Sequence, residues 1–124
     1  MDGRTKSRNS IGAAGETLAA EYLVSLGWRI LARNWRCAVG ELDIIAADTA
    51  GAVVFCEVKS RRSKAFGSPL EAITTAKMQK LRELAMCWLR EQPSYTAHFR
   101  FDGIGVFFLP GSTPEITHKQ GIGS

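Results

Sequence analysis

The sequence predicts a mixed α/β domain in which one central sheet is flanked by helices, with the element order αβββαβ. Three observations support this fold class. Two segments carry apolar residues at helical spacing, short β-branched runs lie between and after them, and two of those runs are joined by a turn-forming segment. The 124 residues allow one buried core, because domains typically have about 100–150 residues.

The first helix is predicted from about Ile11 to Leu26, with Gly27 at the position of a C-terminal cap. Its apolar positions at helical spacing are Leu18, Ala19, Tyr22, Leu23 and Leu26. Trp28 to Arg36 then predicts a strand with an irregular end. Leu42–Ala46 and Val53–Val58 predict a β-hairpin, because the residues 47–51 between them have turn chemistry.

A polar, basic loop leads to a second helix that is predicted to begin at Ser68. Ser68 and Glu71 have the spacing of a capping box, and Pro69 occupies the first helical position. This helix is expected to stop before Pro93, and Phe99–Leu109 predicts the last strand. We therefore expect a basic flexible tail at 1–10, one domain at 11–109 and a flexible tail at 110–124, where little can be buried.

The bulk composition is that of an ordinary globular protein, with 45% hydrophobic and 23% charged residues. The net charge is 16 − 12 = +4, which favours a polyanionic partner such as nucleic acid. Three cysteines without a C-x-x-C pair indicate a reducing compartment. No signal peptide or membrane span is evident in the sequence, so a cytoplasmic protein without membrane partners is expected.

The predicted hairpin brings charged residues onto one face of the sheet. If the turn is centred at Ala50, residues equally distant from it face one another, so Asp43 lies opposite Glu57 and Glu41 lies opposite Lys59. Strand side chains alternate, so these four share one face. The opposite, buried face is then expected to carry Leu42, Ile44, Cys56 and Val58.

Two interpretations of this face remain open. Directly opposed Cβ atoms lie roughly 4.5–5.5 Å apart, so two carboxylates there repel unless a cation lies between them. Mg²⁺ or Mn²⁺ between Asp43 and Glu57 would relieve this repulsion, and Lys59 would lie beside the metal. This arrangement suits phosphodiester hydrolysis. Alternatively, Glu41 and Lys59 form a surface ion pair while Asp43 and Glu57 are solvated, and a register slip of one residue would separate the two carboxylates.

Other charged residues are weaker candidates. Arg61, Arg62 and Lys64 follow the hairpin directly and are candidates for phosphate contact, although they also suit a solvated loop. Lys77 and Lys80 on the second helix are further, weaker candidates for nucleic-acid binding. Glu16 is either a boundary carboxylate of the first helix or part of the site. Arg100 and Asp102 are expected to form a structural ion pair.

The run Gly40-Glu41-Leu42-Asp43-Ile44-Ile45, followed by Val53-Val54-Phe55-Cys56-Glu57-Val58-Lys59-Ser60-Arg61, resembles the D…E-x-K core of the PD-(D/E)xK nuclease superfamily. With Gly15-Glu16 and Phe66-Gly67-Ser68-Pro69, it more closely resembles the YraN family of small bacterial proteins. The resemblance covers about residues 12–102. One departure is Leu42, which stands where the superfamily name has proline.

This resemblance implies a restriction-endonuclease-like fold, similar in helix and motif order to archaeal Holliday-junction resolvases. It implies that Asp43 and Glu57 are metal carboxylates, that Lys59 is the catalytic lysine and that Glu16 is a further metal ligand. The implied activity is a Mg²⁺- or Mn²⁺-dependent endonuclease acting on DNA, including structured or branched DNA. The alternatives are a nucleic-acid-binding protein of the same fold with weak, absent or partner-dependent catalysis, and an assembly factor whose acidic face is an interface. Resolvases of this fold act as dimers, so a homodimer is one expectation, although no surface stripe identifies a dimer face.

Overall fold

The computed structural model of the chain describes residues 10–63, 70, 73–93 and 98–123. Two helices and five strands are formed within these ranges. In chain order they are α1 (Ser10–Ser25), β1 (Arg29–Cys37), β2 (Gly40–Ala47), β3 (Val53–Arg61), α2 (Thr75–Arg90), β4 (Phe99–Phe107) and β5 (Glu115–Lys119). The predicted mixed α/β class with one central sheet is therefore confirmed. Neither of these helices has the length and apolar character needed to cross a membrane.

The five strands form one sheet in the order β1-β2-β3-β4-β5. Neighbouring strands are antiparallel except β3 and β4, which are parallel. A parallel pair needs a crossover from the end of one strand to the start of the next. The helix α2 lies in that crossover, so the end of β3 and the start of α2 are both available to one site.

Each helix covers its own apolar cluster. The cluster that includes α1 contains Ala19, Ala20, Leu23, Ile44, Ala46, Val54, Cys56, Val58, Ile104 and Val106. The cluster that includes α2 contains Leu42, Ile45, Val53, Phe55, Met78, Leu81, Leu84, Ala85, Trp88, Leu89 and Phe101. Because the two clusters share no buried residue, the sheet separates them and receives one helix on each face.

The predicted hairpin register is confirmed where the pairing is recorded, from Ile44–Cys56 to Ala47–Val53. One predicted orientation is wrong. Ile44, Cys56 and Val58 do pack together, but Leu42 belongs to the cluster beneath α2. The change of face coincides with Asn34 of β1, whose φ of 51° interrupts the regular strand beside this part of β2.

The predicted start of the second helix is also wrong. The helix α2 begins at Thr75, and the extended Thr74 caps it, its hydroxyl accepting a hydrogen bond of 3.2 Å from the Lys77 backbone N–H. A threonine one position before a helix satisfies a backbone N–H that would otherwise be unpaired. This cap lies closer than Ser68 in the sequence to the buried residues of α2, which begin at Met78. Ser68 and Pro69 lie outside the described residues, as do residues 1–9.

The predicted flexible tail at 110–124 is wrong as well, because it contains β5, which adds a fifth strand to the predicted order. This strand pairs with β4 from Gly103–Lys119 to Phe107–Glu115, so the outer edge of β4 is covered. Beyond it, Ile122 is buried and its N–H donates to the Phe101 carbonyl at 2.8 Å. The segment is short and polar, and its pairing comes from β4 rather than from its own apolar content.

A buried polar network ties β5 to the rest of the fold. Asp102 is fully buried and accepts hydrogen bonds from Arg100 Nε at 3.0 Å and from His118 Nε2 at 2.8 Å, which confirms the predicted Arg100–Asp102 ion pair. His118 Nδ1 lies 2.9 Å from the Tyr22 hydroxyl on α1, and Arg100 also contacts Asp48 at 2.8 Å. Burial alone would raise the pKa of Asp102, but the hydrogen bonds from His118 and Arg100 outweigh it and hold that pKa below its ordinary value.

Helix α1 approaches the sheet closely at Gly15. A Cβ atom on Gly15 would overlap Ser60 Oγ and lie 3.3 Å from Ser60 Cβ. The missing side chain therefore lets α1 lie directly on β3, which places the next residue, Glu16, beside the end of that strand.

We expect Gly15→Ala to lower the free energy of unfolding by about 1 kcal/mol, the low end of the usual cost of overpacking, because Ser60 Oγ can rotate away but Ser60 Cβ stays 3.3 Å from the new methyl group. At a helix position without this contact, the same change would stabilise by up to about 1 kcal/mol, so the sign of the effect tests the packing. The measurement is urea unfolding, which gives the cost of Gly15→Ala in the wild type and again in the Ser60→Ala variant. The cost should be smaller in the Ser60→Ala background, and an equal cost in both would contradict the contact.

Candidate active site

A cleft of ≈ 510 Å³ lies where α1, α2 and the ends of β2 and β3 meet. Its lining is rich in charged side chains of both signs. These are Glu16, Glu41, Asp43, Glu57, Lys59, Arg61, Lys77 and Lys80. The cleft therefore draws residues from both helices and from the predicted hairpin, which lie far apart in the sequence.

The cleft is built on a fork between β2 and β3. Their recorded backbone pairing ends at Ile44–Cys56, whereas β3 continues to pair with β4 as far as Arg61. Just past the last pair, the Val58 backbone N–H donates to Asp43 Oδ2 at 2.8 Å. The Asp43 carboxylate thus serves as the acceptor for a backbone group that would otherwise need a partner from β2.

Glu57 is the buried carboxylate of the site, with only 4% of its surface exposed. Its Oε2 atom lies 3.3 Å from Lys59 Nζ and 3.2 Å from Lys77 Nζ. A buried carboxylate is costly unless it is paired, and two ammonium groups provide that pairing here. Lys77 lies in the first turn of α2, where the Thr74 cap fixes the helix start.

Asp43 lies near three other carboxylates. The pKa of Asp43 is raised from 3.8 to about 8. Burial is the largest cause, the charge of Glu57 is the second, and Glu16 and Glu41 make smaller contributions. The Val58 N–H opposes the shift but does not cancel it. The negative charge of these carboxylates would favour a cation bound at Asp43.

Glu41 forms an ion pair with Arg36, a partner that the sequence did not predict for it. Its Oε1 atom lies 3.3 Å from Arg36 on the neighbouring strand β1. Glu41 and Arg36 are directly paired across β1 and β2, so their side chains lie close enough to form this contact. Lys59 is instead directed toward Glu57, two residues before it on the same strand.

The structure brings most of the predicted site residues together. The cleft contains the predicted residues Glu16, Asp43, Glu57, Lys59, Arg61 and Lys77. Arg62 lies away from it, in a depression formed with Phe108 and Leu109. Lys64 lies outside the described residues. Lys80, a weaker candidate of the sequence, also lines the cleft. Sequence reasoning missed Asn34, because it belongs to no motif and only the folded chain brings it near Glu16 and Glu41.

The donor set fits a hard divalent cation, because carboxylate oxygens are the ligands that Mg²⁺ and Mn²⁺ prefer. Asp43 accepts from Val58 through Oδ2. Among the described residues, no three His, Cys, Asp or Glu side chains are grouped closely enough to hold a metal ion. In this arrangement Glu57 is turned toward two lysines. Cation binding therefore requires a rearrangement of the Glu57 side chain.

The fold and the cleft define a mixed α/β domain with an acidic, lysine-bearing site at a sheet fork. The model of Uncharacterised protein family UPF0102 matches residues 15–106, and the chain belongs to this family. The resemblance to the YraN family, another name for the same family, is thereby confirmed.

Individual relatives agree with this assignment. The chain is 50% identical over 121 residues to a UPF0102 protein of Mycolicibacterium gilvum, covering 97% of this chain and 98% of that protein. It is 51% identical over 124 residues to a UPF0102 protein of Mycobacterium tuberculosis, covering 97% of each. Among solved structures, EndoMS in complex with dsDNA matches with a TM-score of 0.43 and 18% identity, covering 79% of this chain and 38% of that one.

The raised pKa of Asp43 predicts a pH dependence of stability. The folded-state pKa of about 8 lies above the ordinary 3.8, so folding favours the neutral acid, and stability falls as the pH rises from about 4 to about 8. Asp43→Asn keeps the shape without the charge. In metal-free buffer, its melting temperature should match the wild type near pH 4 and exceed it by roughly 5 °C at pH 8. Thermal unfolding followed by circular dichroism measures both, and a difference that does not change with pH would contradict the assignment.

Proposed function

We propose that this protein is a Mg²⁺- or Mn²⁺-dependent endonuclease that hydrolyses phosphodiester bonds in DNA, including structured or branched DNA. The observation that carries the proposal is the meeting of Asp43, Glu57 and Lys59 in one cleft. Their order and spacing also match the core motif to which the sequence bears a resemblance. A restriction-endonuclease-like fold is part of this proposal, and the mixed sheet with a helix on each face supports it.

Asp43 and Glu57, with Glu16 as a further ligand, are the residues that would hold the cation. When bound, a divalent cation polarises a phosphate oxygen and lowers the pKa of water. Lys59 contributes through its position, since its ammonium lies 3.3 Å from Glu57 and can hold the attacking water or offset charge on the phosphate. Burial of Glu57 keeps bulk water from screening these charges.

The remaining cations of the cleft suit a phosphate backbone. Arg61 at the end of β3 and Lys77 and Lys80 on α2 all line it. Lysine and arginine contacts to phosphates fix the position of a nucleic acid without reading its sequence. The net charge of +4 acts in the same direction at longer range.

A second candidate function is nucleic-acid binding by the same cleft with weak, absent or partner-dependent catalysis. The specific observation in its favour is the pairing of Glu57 with both Lys59 and Lys77, which occupies an oxygen that a metal site needs. Under this proposal, DNA binds through the same cations, and the chemistry waits for a change that releases Glu57.

Mn²⁺-dependent cleavage distinguishes the two functions. We expect wild-type protein to cut at least one DNA among duplex, single-stranded, flap and four-way-junction substrates, and to melt at a higher temperature when Mn²⁺ is added. Asp43→Asn and Glu57→Ala should lose the cleavage and most of the Mn²⁺-induced shift while remaining folded. Cleavage that persists in Glu57→Ala would point to a contaminant. Equal Mn²⁺ shifts in the wild type and Asp43→Asn would leave only the binding function.

Arg61 and Arg62 form a matched pair for testing phosphate contact, because they are neighbours and only Arg61 lines the cleft. We expect Arg61→Ala to weaken duplex DNA binding regardless of sequence and to flatten the plot of log K against log salt by about 0.9. Arg62→Ala should change that slope much less. Fluorescence anisotropy over a salt series provides the measurement, and identical slopes for the two variants would place the DNA elsewhere.

A further inference from the structure

Asn34 on β1 lies between two carboxylates of the cleft region. The pairs Arg33–Ile44 and Trp35–Leu42 bracket it, so it lies at the level of Asp43 on the neighbouring strand. One terminal atom of its side-chain amide lies 2.9 Å from Glu16 Oε1 and 2.8 Å from Glu41 Oε2. One side chain therefore contacts both α1 and β2.

The chemistry of the partners fixes the orientation of this amide. Ionised carboxylates only accept hydrogen bonds, so the NH₂ group of Asn34, which has two donors, must face them. In that orientation each N–H serves one carboxylate. The two acidic groups are thus held together by a neutral donor, and neither has its charge cancelled by it.

A neutral donor matters where a cation is to bind. A lysine or arginine between Glu16 and Glu41 would hold them equally well, but its charge would repel a divalent cation nearby. An amide adds no positive charge of its own at this point. Outer-shell hydrogen bonds of this kind orient metal ligands and affect metal affinity.

The backbone at Asn34 supports a specific role for this residue. Its φ of 51° lies in the left-handed region, where asparagine is tolerated better than most residues and glycine best. Within the described residues it is the only one other than glycine with positive φ. The strand therefore departs from regular geometry at the point where this amide meets the two carboxylates.

We propose that Asn34 is a positioning residue that holds the Glu16 carboxylate of α1 at the cleft by bridging it to Glu41 of β2. This inference rests on the proposed function, in which Glu16 is a metal ligand. The effect of Asn34 on Mn²⁺ binding passes through Glu16.

The test is a double-mutant cycle read by Mn²⁺ affinity rather than by cleavage. Asn34→Gly removes the amide and keeps the left-handed backbone, and Glu16→Ala removes the carboxylate that it holds. Isothermal calorimetry with Mn²⁺ gives the affinity of the wild type, both single variants and the double variant. We expect Asn34→Gly to weaken Mn²⁺ binding roughly tenfold when Glu16 is present. In the Glu16→Ala background the same change should weaken it less than about twofold, because coupled residues are not additive.

A merely structural role predicts a different pattern. An equal loss of Mn²⁺ affinity in both backgrounds, or no loss in either, would overturn the inference. If Asn34→Gly lowers stability too far for calorimetry, Asn34→Ala in a stabilising osmolyte replaces it, since alanine removes the donor without adding a charge. The replacement variant must show the same coupling to Glu16, and absence of that coupling overturns the inference.

The Asp43→Asn variant separates failure of this inference from failure of the proposed function. If the wild type binds Mn²⁺ no better than Asp43→Asn, the metal site itself is absent and the inference falls with it.

Discussion

The hydrogen bond from the Val58 backbone N–H to the Asp43 carboxylate is the contact on which the candidate site depends. At this point β2 and β3 stop pairing through their backbones, while β3 remains anchored to β4. A strand end that separates from its neighbour normally leaves buried polar groups without partners, which is costly. Because the Asp43 side chain supplies the missing acceptor, the fork opens without that cost, and a carboxylate is fixed at its apex.

The two helices determine which charges reach the fork. On one face, the absent side chain of Gly15 lets α1 lie against Ser60, so Glu16 follows at the edge of the cleft. On the other, the crossover between parallel β3 and β4 places the first turn of α2 beside Glu57, where Lys77 pairs with it. The balance of four carboxylates and several cations is therefore a property of the tertiary fold, and no single segment of the chain contains it.

The hairpin register was predictable from the sequence because the turn centre fixes which residues oppose one another, and the pairs from Ile44–Cys56 to Ala47–Val53 agree with it. What could not be predicted depends on contacts between distant segments. The strand β5 has little apolar content of its own and forms because β4 offers an edge, and because His118 reaches the buried Asp102. The start of α2 at Thr75 could not be predicted, because Ser68 and Glu71 form the stronger capping pattern in the sequence and the Thr74 cap is evident only in the folded helix. Asn34 carries no sequence signal, since its role needs α1 and β2 to be folded beside it.

The pairing of Glu57 with two lysines links the metal and DNA parts of the proposed function. A cation that takes Glu57 must displace at least one ammonium group, and the two differ in freedom: the Lys77 side chain is 40% exposed, whereas that of Lys59 is 28% exposed and belongs to the same strand as Glu57. Lys77 is the easier one to release, because it can remain solvated or contact a phosphate after it leaves. A DNA phosphate in the cleft would attract Lys77 while adding negative charge near Asp43, and both effects favour the cation. Under the proposed function, cation and DNA should therefore each strengthen binding of the other, which by linkage must hold in both directions.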